Sequence, residues 1–540
     1  MATPKYLSRD CELSTTGVAA DGRTVDAWRV TRKILACLPQ ALGRFGAKCW
    51  TRGDMNGSAY SSDCLRYWTS GGQCYYSDMG HLEVCGAESL RPQDFALQGM
   101  SLLRVAEAAR REAAQREDAE FESEHPDAPT AWNCDGQAAD RFCLSASNAD
   151  NLDPAISWGS HLNVSIDSTL WTDLFLDHSR PARLSAVSSM IAAGIAFFGA
   201  GYLLPMKDGS TAFSLSARAH HLAHVHTLAT TEPFRRGILN SRREPHAATV
   251  DRLHLIGFDY PLLGAPLLAS YLQCALAAVE DGYCGMQLFE PVRALRIWSW
   301  TFDLRNGKFS ERAQLVDGRK LTLPEYVADF ARQLLKMVES GLINEQIAPQ
   351  AGDNLARIIE LASFAQEGSI QLCARQIDWA AKLMMLLGSG EQLGNAASRL
   401  ADHDFTNTDP RRGALWRLID EGLVDAPAEL DRIDASIAAP PVDSRAWGRG
   451  KLIEQFASQI TDVDWSRIEF RLSTDRWGRR GTIEMPKLDG FTKYELDGLL
   501  TRAGDLPRLH ELLQRTDGRN VRQIDPLDDV CSQLFKQERN

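Results

Sequence analysis

The sequence predicts an α+β fold, with a large domain over residues 1–440 and a small C-terminal domain over 441–540. Three observations carry this expectation. Stretches with helical apolar spacing dominate residues 265–400, and short strand-like segments recur before them. The run IAAPPVDSR at 437–445 then punctuates the chain with two prolines ahead of a compact-looking tail. A length of 540 residues excludes one small module. The 44% hydrophobic and 24% charged residues exclude wholesale disorder.

Residues 23–43 repeat apolar side chains at helical spacing, with a basic stripe at Arg29, Arg32 and Lys33. Residues 46–72, rich in Gly, Ser, Asp and aromatics, read as a long loop, and Gln73–Tyr76 as a short strand. A charged helix is expected over 96–120 and a linker over 121–137, together an insertion at about 100–140 of the large domain. Strands follow at His161–Ile166, Thr211–Leu215 and Leu253–Phe258. Tyr260–Val279 carries no charge, but Pro261 and Pro266 mark it as a buried helix after a turn rather than a membrane span. Pro324 suits the first turn of a helix. In the tail, DVDWSRIEFRL reads as strand and YELDGLLTRAGDLPRLHELLQR as helix.

A formal net charge of −12 argues against a general nucleic-acid binder. The twelve cysteines are dispersed without a CxxC pair, as in a cytoplasmic protein that keeps its thiols reduced. MATPKYLSRDCELSTTG lacks the basic start and apolar core of a signal peptide. The expectation is a soluble cytoplasmic protein with neither a nucleic-acid nor a membrane partner. P-loop, GxSxG and HExxH motifs are absent from the sequence, and FFGAGYLL lacks the third glycine of a dinucleotide loop. His220 and His224 stand one helical turn apart, yet without a nearby carboxylate or Cys they read as ordinary surface or core residues.

Two clusters are more informative. Asp10 and Glu12 are two residues apart, so on a strand both project from one face. Tyr76, Asp78, His81, Glu83 and Glu88 crowd a second short segment. Carboxylates gathered on a face repel unless cations pair with them, and hard oxygen ligands suit Mg²⁺. By themselves they read sooner as an exposed acidic strand pair. Opposite charge comes from Arg218 leading into His221, then Arg235, Arg236, Arg242, Arg243, and finally Arg252 and His254. Arginine forks bind phosphate oxygens bidentately, although such a stretch alone reads as surface salt bridges. Together the two clusters suggest ATP-dependent phosphoryl transfer to a carboxylate.

These residues resemble those of the Pup ligase and depupylase family. SGGQCYYSDMGHLEVCGAES (70–89) is similar to the family's N-G-A-R-x-Y-V-D-x-x-H-P-E-Y segment. In order along the chain follow SNADNLDPAISWGSHLNVS (147–165), SARAHHL (216–222), RGILNSRREPHA (236–247), RLHLIGFD (252–259), IDWAAK (377–382) and DVDWSRIEF (462–470). The resemblance implies a glutamine-synthetase-like fold, a curved antiparallel sheet forming a cradle with helices packed on it, ahead of a small C-terminal domain. It also implies ATP with Mg²⁺ and chemistry on a terminal Glu or Gln side chain. By position, Asp10, Glu12, Tyr76 and Glu83 fall on the metal side, and Asp78 on the family's catalytic base or nucleophile. Arg218, Arg242, His161, His221 and His254 fall on the nucleotide side. The chain departs from the family at Asp10, where a Glu stands, and at Leu82, Val84 and Leu162 within its HPEY and HEN motifs. It therefore resembles a divergent member.

The expected function is ATP-dependent carboxylate–amine ligation: a Glu-type carboxylate, activated as an acyl phosphate, joins an amine, with Asp78 as base. The expected partners are a Glu- or Gln-terminated, Pup-like peptide or small protein, or a small-molecule carboxylate, together with an amine acceptor. The alternative is a depupylase- or deamidase-like amidohydrolase. Asp78 stands three residues before His81, a spacing associated with that branch. A third possibility is a non-catalytic nucleotide-binding scaffold.

Overall fold

The computed structural model describes residues 3–524, apart from 20–21, 54–64, 125–140, 152, 154, 178, 207, 233–234, 245–246, 301, 304–306, 473–479 and 517–520. The middle of the expected 46–72 loop and most of the 121–137 linker thus lie outside the described residues.

Among the described residues eleven strands form one large sheet. Its first elements are β1 (Leu7–Val18), β2 (Thr24–Val25), helix α1 (Ala27–Gly43), β3 (Cys49–Arg52), β4 (Arg66–Thr69), β5 (Cys74–Asp78) and β6 (His81–Cys85). Helix α2 (Pro92–Glu124) precedes β7 (Phe142–Ser145) and β8 (Ser160–Ile166). After helices α3 (Ser168–Phe175) and α4 (Pro181–Phe197), strands β9 (Tyr202–Pro205) and β10 (Thr211–Ser214) pair separately. Strands β11 (Leu222–Thr227), β12 (Arg236–Asn240) and β13 (Asp251–Leu255) complete the large sheet, ahead of helix α5 (Ala265–Glu280). The strand order is β11-β12-β13-β8-β1-β6-β5-β4-β3, with β2 and β7 also pairing with β1. Its ladders are antiparallel except β11–β12, so the sheet is mixed where pure antiparallel pairing was expected.

Alternation along the strands divides this sheet into two chemically different faces. One presents Leu7, Cys11, Leu13, Leu82, Val84, Leu162, Val164, Leu253 and Leu255, all essentially inaccessible to water. Helices α1, α2 and α5 bring Ile34, Leu38, Leu102, Leu103, Leu268 and Leu272 into the same core. Burial of this face drives the assembly, at about 25 cal/mol per Å² of apolar surface. The other face carries the polar residues.

Several local expectations are revised. Residues 46–72 are not wholly loop, because Trp50 pairs with Trp68 and Thr51 with Tyr67 across β3 and β4. Aromatic side chains on a pleated surface offset the strand-breaking residues around them. Strand β13 spans Asp251–Leu255, ending before the expected Phe258. His220 lies in a 3-10 turn (Arg218–His221) and His224 on β11, so helical spacing does not bring them together. Pro324 does sit in the first turn of helix Leu323–Glu339, whose start is fixed by a Thr322–Glu325 capping box.

The DVDWSRIEFRL text forms a hairpin, Ile460–Asp464 with Arg467–Arg471, rather than one strand. With Arg480–Glu484 and Val521–Ile524 it makes a four-stranded antiparallel sheet. Ile453, Phe456, Ile468, Phe470, Ile483 and Leu509 form a core here that also takes in Trp68, Cys74 and Cys85 of the large sheet. The C-terminal segment is therefore seated beside the polar face near β4, β5 and β6. No helix among the described residues is long and apolar enough to cross a membrane.

Candidate active site

Strand register gathers on one face four of the carboxylates singled out in the sequence, Asp10, Glu12, Asp78 and Glu83. Asp10 and Glu12 project together from β1, as their spacing predicts. Glu12 stands opposite Glu83 of β6, which stands opposite Tyr76 of β5. On the other side of β1, Asp10 faces His161 of β8, and Asn163 of β8 faces His254 of β13.

Around Asp10, Asn163 Nδ2 donates to Oδ1 at 2.8 Å, and His161 Nδ1 lies 3.4 Å from Oδ2. The His161 and His254 rings meet edge to face with centroids 4.9 Å apart. Asp10, His161 and His254 each offer a ligand atom within 4.8 Å of the others. Burial alone would raise the Asp10 carboxyl, but the His161 hydrogen bond, with His254 and Arg252 nearby, holds it below the usual range. Burial, His161 and Arg252 push His254 well down, so it is a neutral imidazole at physiological pH. Neither of its buried ring nitrogens has a hydrogen-bond partner among the described residues.

The oxygen-rich part lies one step along. Glu83 is buried and its Oε2 has no hydrogen-bond partner among the described residues. Burial and the charges of Asp10, Glu12 and Asp78 push its carboxyl well above the ordinary range, against a hydrogen bond with Tyr76. Such a group costs free energy to ionise unless a cation joins it. Asp78 ends β5, where Met79 (φ 47°) and Gly80 (φ 94°) turn the chain back into β6. Burial and the Glu12 charge raise the Asp78 carboxyl. Gly159 lines the Glu12 side: a Cβ there would stand 2.7 Å from Glu12 Oε1 and 3.0 Å from His161 Nε2.

A cavity of about 350 Å³ adjoins these groups. Ser8, Asp10, Tyr76, Asn163 and Arg252 line its sheet side, and Arg445, Trp465 and Leu488 close it from the C-terminal segment. Arg66 lies over the Tyr76 ring at 4.9 Å. Sequence reasoning missed the C-terminal contribution. Glu88, counted above with the acidic cluster, instead accepts from Arg445 Nε at 2.9 Å and Arg449 Nη2 at 2.6 Å. Those arginines overcome burial and hold Glu88 down at about 2.

The basic run does not form one phosphate-facing cluster. Arg235, Arg243 and Arg252 pair with Glu232, Asp251 and Glu244. Arg236 is buried, its guanidinium bonded to the Thr230 and Thr231 carbonyls. Arg218 is buried too, donating to the carbonyls of Trp158 and Ile256, and burial beside Arg236 pushes it down to about 9. His221 packs edge-on against His220, and burial with Arg218 nearby pushes it down to about 3. It is not in the Asp10 group. Arg242 is half-exposed, 3.9 Å from Glu244.

A family model described as Pup-ligase protein matches residues 48–469. The chain belongs to this family. Among Pup-ligase relatives, it is 29% identical over 447 residues to the depupylase of Acidothermus cellulolyticus, covering 80% of this chain and 78% of the relative. It is 27% identical over 422 residues to the Pup deamidase/depupylase of Mycolicibacterium smegmatis, 76% of each chain. Identity to the Pup–protein ligase of Xylanimonas cellulosilytica is 29%, over 52% of this chain and 62% of that one. The fold matches that of the Pup ligase PafA in its complex with Pup, with a TM-score of 0.69, 18% identity and 95% of each chain covered. A PafA structure with ADP gives a TM-score of 0.64 at 18% identity, covering 85% of this chain and 91% of that one. Asp10 and Glu12 precede the span that the family model matches.

Proposed function

We propose that this Pup-ligase family member works in the hydrolytic direction: it cleaves the amide at the γ-carbonyl of a terminal Gln or Glu of a Pup-like protein. The observation that carries this reading is how far each named relative aligns with this chain in sequence. Those named depupylase or deamidase match over about four fifths of both chains, whereas the named ligase matches about half of this one. This favours the alternative over the ligation expected from sequence. The complex of PafA with Pup supports a Pup-like partner.

The donor set fits a divalent cation and a nucleotide. Among the described residues Glu83 Oε2 is buried without a hydrogen-bond partner, the His254 ring nitrogens likewise, and a cavity lined by the neighbouring Asp10, Tyr76 and Asn163 lies beside this group. Asp10, Glu12, Tyr76, Glu83, His161 and His254 would hold Mg²⁺, and Arg252, Arg445 and Trp465 would meet the nucleotide of ATP, with Arg242 at the mouth. When bound, such a complex supplies positive charge for a developing oxyanion.

Asp78 is the base. As water oxygen bonds to the side-chain carbonyl carbon (Cδ), Asp78 takes one water proton; the C–N bond then breaks and that proton passes to the departing nitrogen. The products are a γ-carboxyl group and ammonia, or a lysine amine. Its raised carboxyl makes Asp78 a stronger base than an exposed aspartate. Asp78→Asn should bind Mg²⁺ and nucleotide like wild type yet cleave a Gln-terminated peptide about 10²-fold more slowly. Wild-type cleavage by Asp78→Asn would remove Asp78 from the chemistry.

A further inference from the structure

The turn that carries Asp78 is held from outside the sheet. Helix α1 packs its apolar face of Val30, Ile34, Leu35 and Leu38 beneath β1, β5 and β6. Its first turns reach the tip of the β5–β6 hairpin. Thr31, fully buried among those apolar residues, donates its Oγ1 hydrogen to the Gly80 carbonyl at 2.8 Å. Trp28 stands one helical turn earlier and lays its indole on Gly80, where a Cβ would come within 2.9 Å of Cδ1 and Nε1. Gly80 is therefore required twice, by its positive φ and by this contact. The helix start is itself pinned, because Asp26 Oδ1 accepts from Arg29 N at 3.0 Å. On the far side of the turn, His81 Nδ1 lies 3.1 Å from the Leu13 carbonyl oxygen.

We propose that Thr31 and Trp28 are positioning residues for Asp78. They clamp the Met79–Gly80 turn, so that the carboxylate at its base stays aligned with the reacting carbonyl. A two-residue turn with exposed Met79 at its tip has little packing of its own. A displacement on the order of 1 Å is enough to slow a reaction substantially. The inference rests on the role proposed for Asp78 and names two residues that touch neither substrate nor cation.

The test compares kcat with KM for cleavage of a Gln-terminated peptide by the full chain with nucleotide and Mg²⁺. Thr31→Val keeps the shape and loses the donor; it should lower kcat by about tenfold with KM and nucleotide affinity within about twofold of wild type. Thr31→Ser keeps the donor and should restore kcat to within about twofold. Trp28→Ala, at a site 40% exposed and so tolerant in folding, should show the same loss confined to kcat. Wild-type kcat in both Thr31→Val and Trp28→Ala, or equal losses in Thr31→Val and Thr31→Ser, would overturn the clamp. Should the wild type form the amide instead of cleaving it, the proposed direction fails. The same kcat comparison on ligation then still tests the clamp.

Discussion

Asp10 and His161 face each other across the β1–β8 ladder, with Oδ2 and Nδ1 3.4 Å apart. Asn163, two residues further along β8, fixes the other carboxylate oxygen. In the proposed site this carboxylate and the two imidazoles would share a cation. We predict that Asp10→Asn weakens Mg²⁺-dependent nucleotide binding by about tenfold or more, measured by calorimetric titration. Unchanged affinity would separate Asp10 from the cation.

The buried Glu83 gives a pH signature. Its folded-state carboxyl is raised, so the folded protein binds that proton more tightly than the unfolded chain does. Its favourable contribution is present at acid pH and is lost as pH rises through the raised value. In EDTA at pH 8, Glu83→Gln should therefore melt above wild type by about 2 °C or more. The gap should close as pH falls. Added Mg²⁺ should raise the melting temperature of wild type and leave Glu83→Gln nearly unmoved; equal Mg²⁺ responses would remove Glu83 from the cation site.

Glu88 behaves in the opposite sense. Arg449 and Arg445 hold it at about 2, below its ordinary 4.5, so its stabilisation is full above the ordinary value and disappears as pH falls towards 2. Glu88→Gln leaves two buried guanidinium groups short of their counter-charge and should cost roughly 3–5 kcal/mol at pH 7 in urea unfolding. The deficit should shrink below about pH 4. A cost that does not vary with pH would show that packing, not charge, accounts for it.

Gly159 tests the tightness of the proposed metal side. Gly159→Ala should fold, since the strain falls on the ends of the Glu12 and His161 side chains rather than on backbone. Displacing both should reduce Mg²⁺-dependent nucleotide binding by about tenfold. Wild-type binding in a folded Gly159→Ala protein would show that Glu12 and His161 can move aside without loss.

Much of the polar face was legible because strand period is two. Asp10 with Glu12, and Tyr76 with Asp78, declare a shared face by spacing alone, and the register then adds Glu83 and His161. What escaped depends on long-range partners. Glu88 looks like one more acid in a crowd until Arg445 and Arg449, more than 350 residues away, arrive beside it. Arg9 alternates onto the apolar face, where it lies over the Phe95 and Tyr260 rings and donates to the Pro261 carbonyl. The arginines of β12 and its flanks read as a phosphate cluster, yet several are spent on nearby carboxylates and backbone carbonyls. Burial and pairing are properties of the assembled sheet, and spacing carries no record of them.

The direction of the reaction is the central claim, and nucleotide stoichiometry reads it most directly. Wild-type protein with ATP and Mg²⁺ would be given, in parallel, a preformed isopeptide between a Glu-terminated Pup-like peptide and a lysine peptide, or the two free peptides, and product and phosphate followed together. We predict that the isopeptide is cleaved over many turnovers while phosphate release stays far below one per cleavage. An intact isopeptide, with amide formed from the free Glu-terminated peptide and amine at one phosphate per bond, would contradict the account.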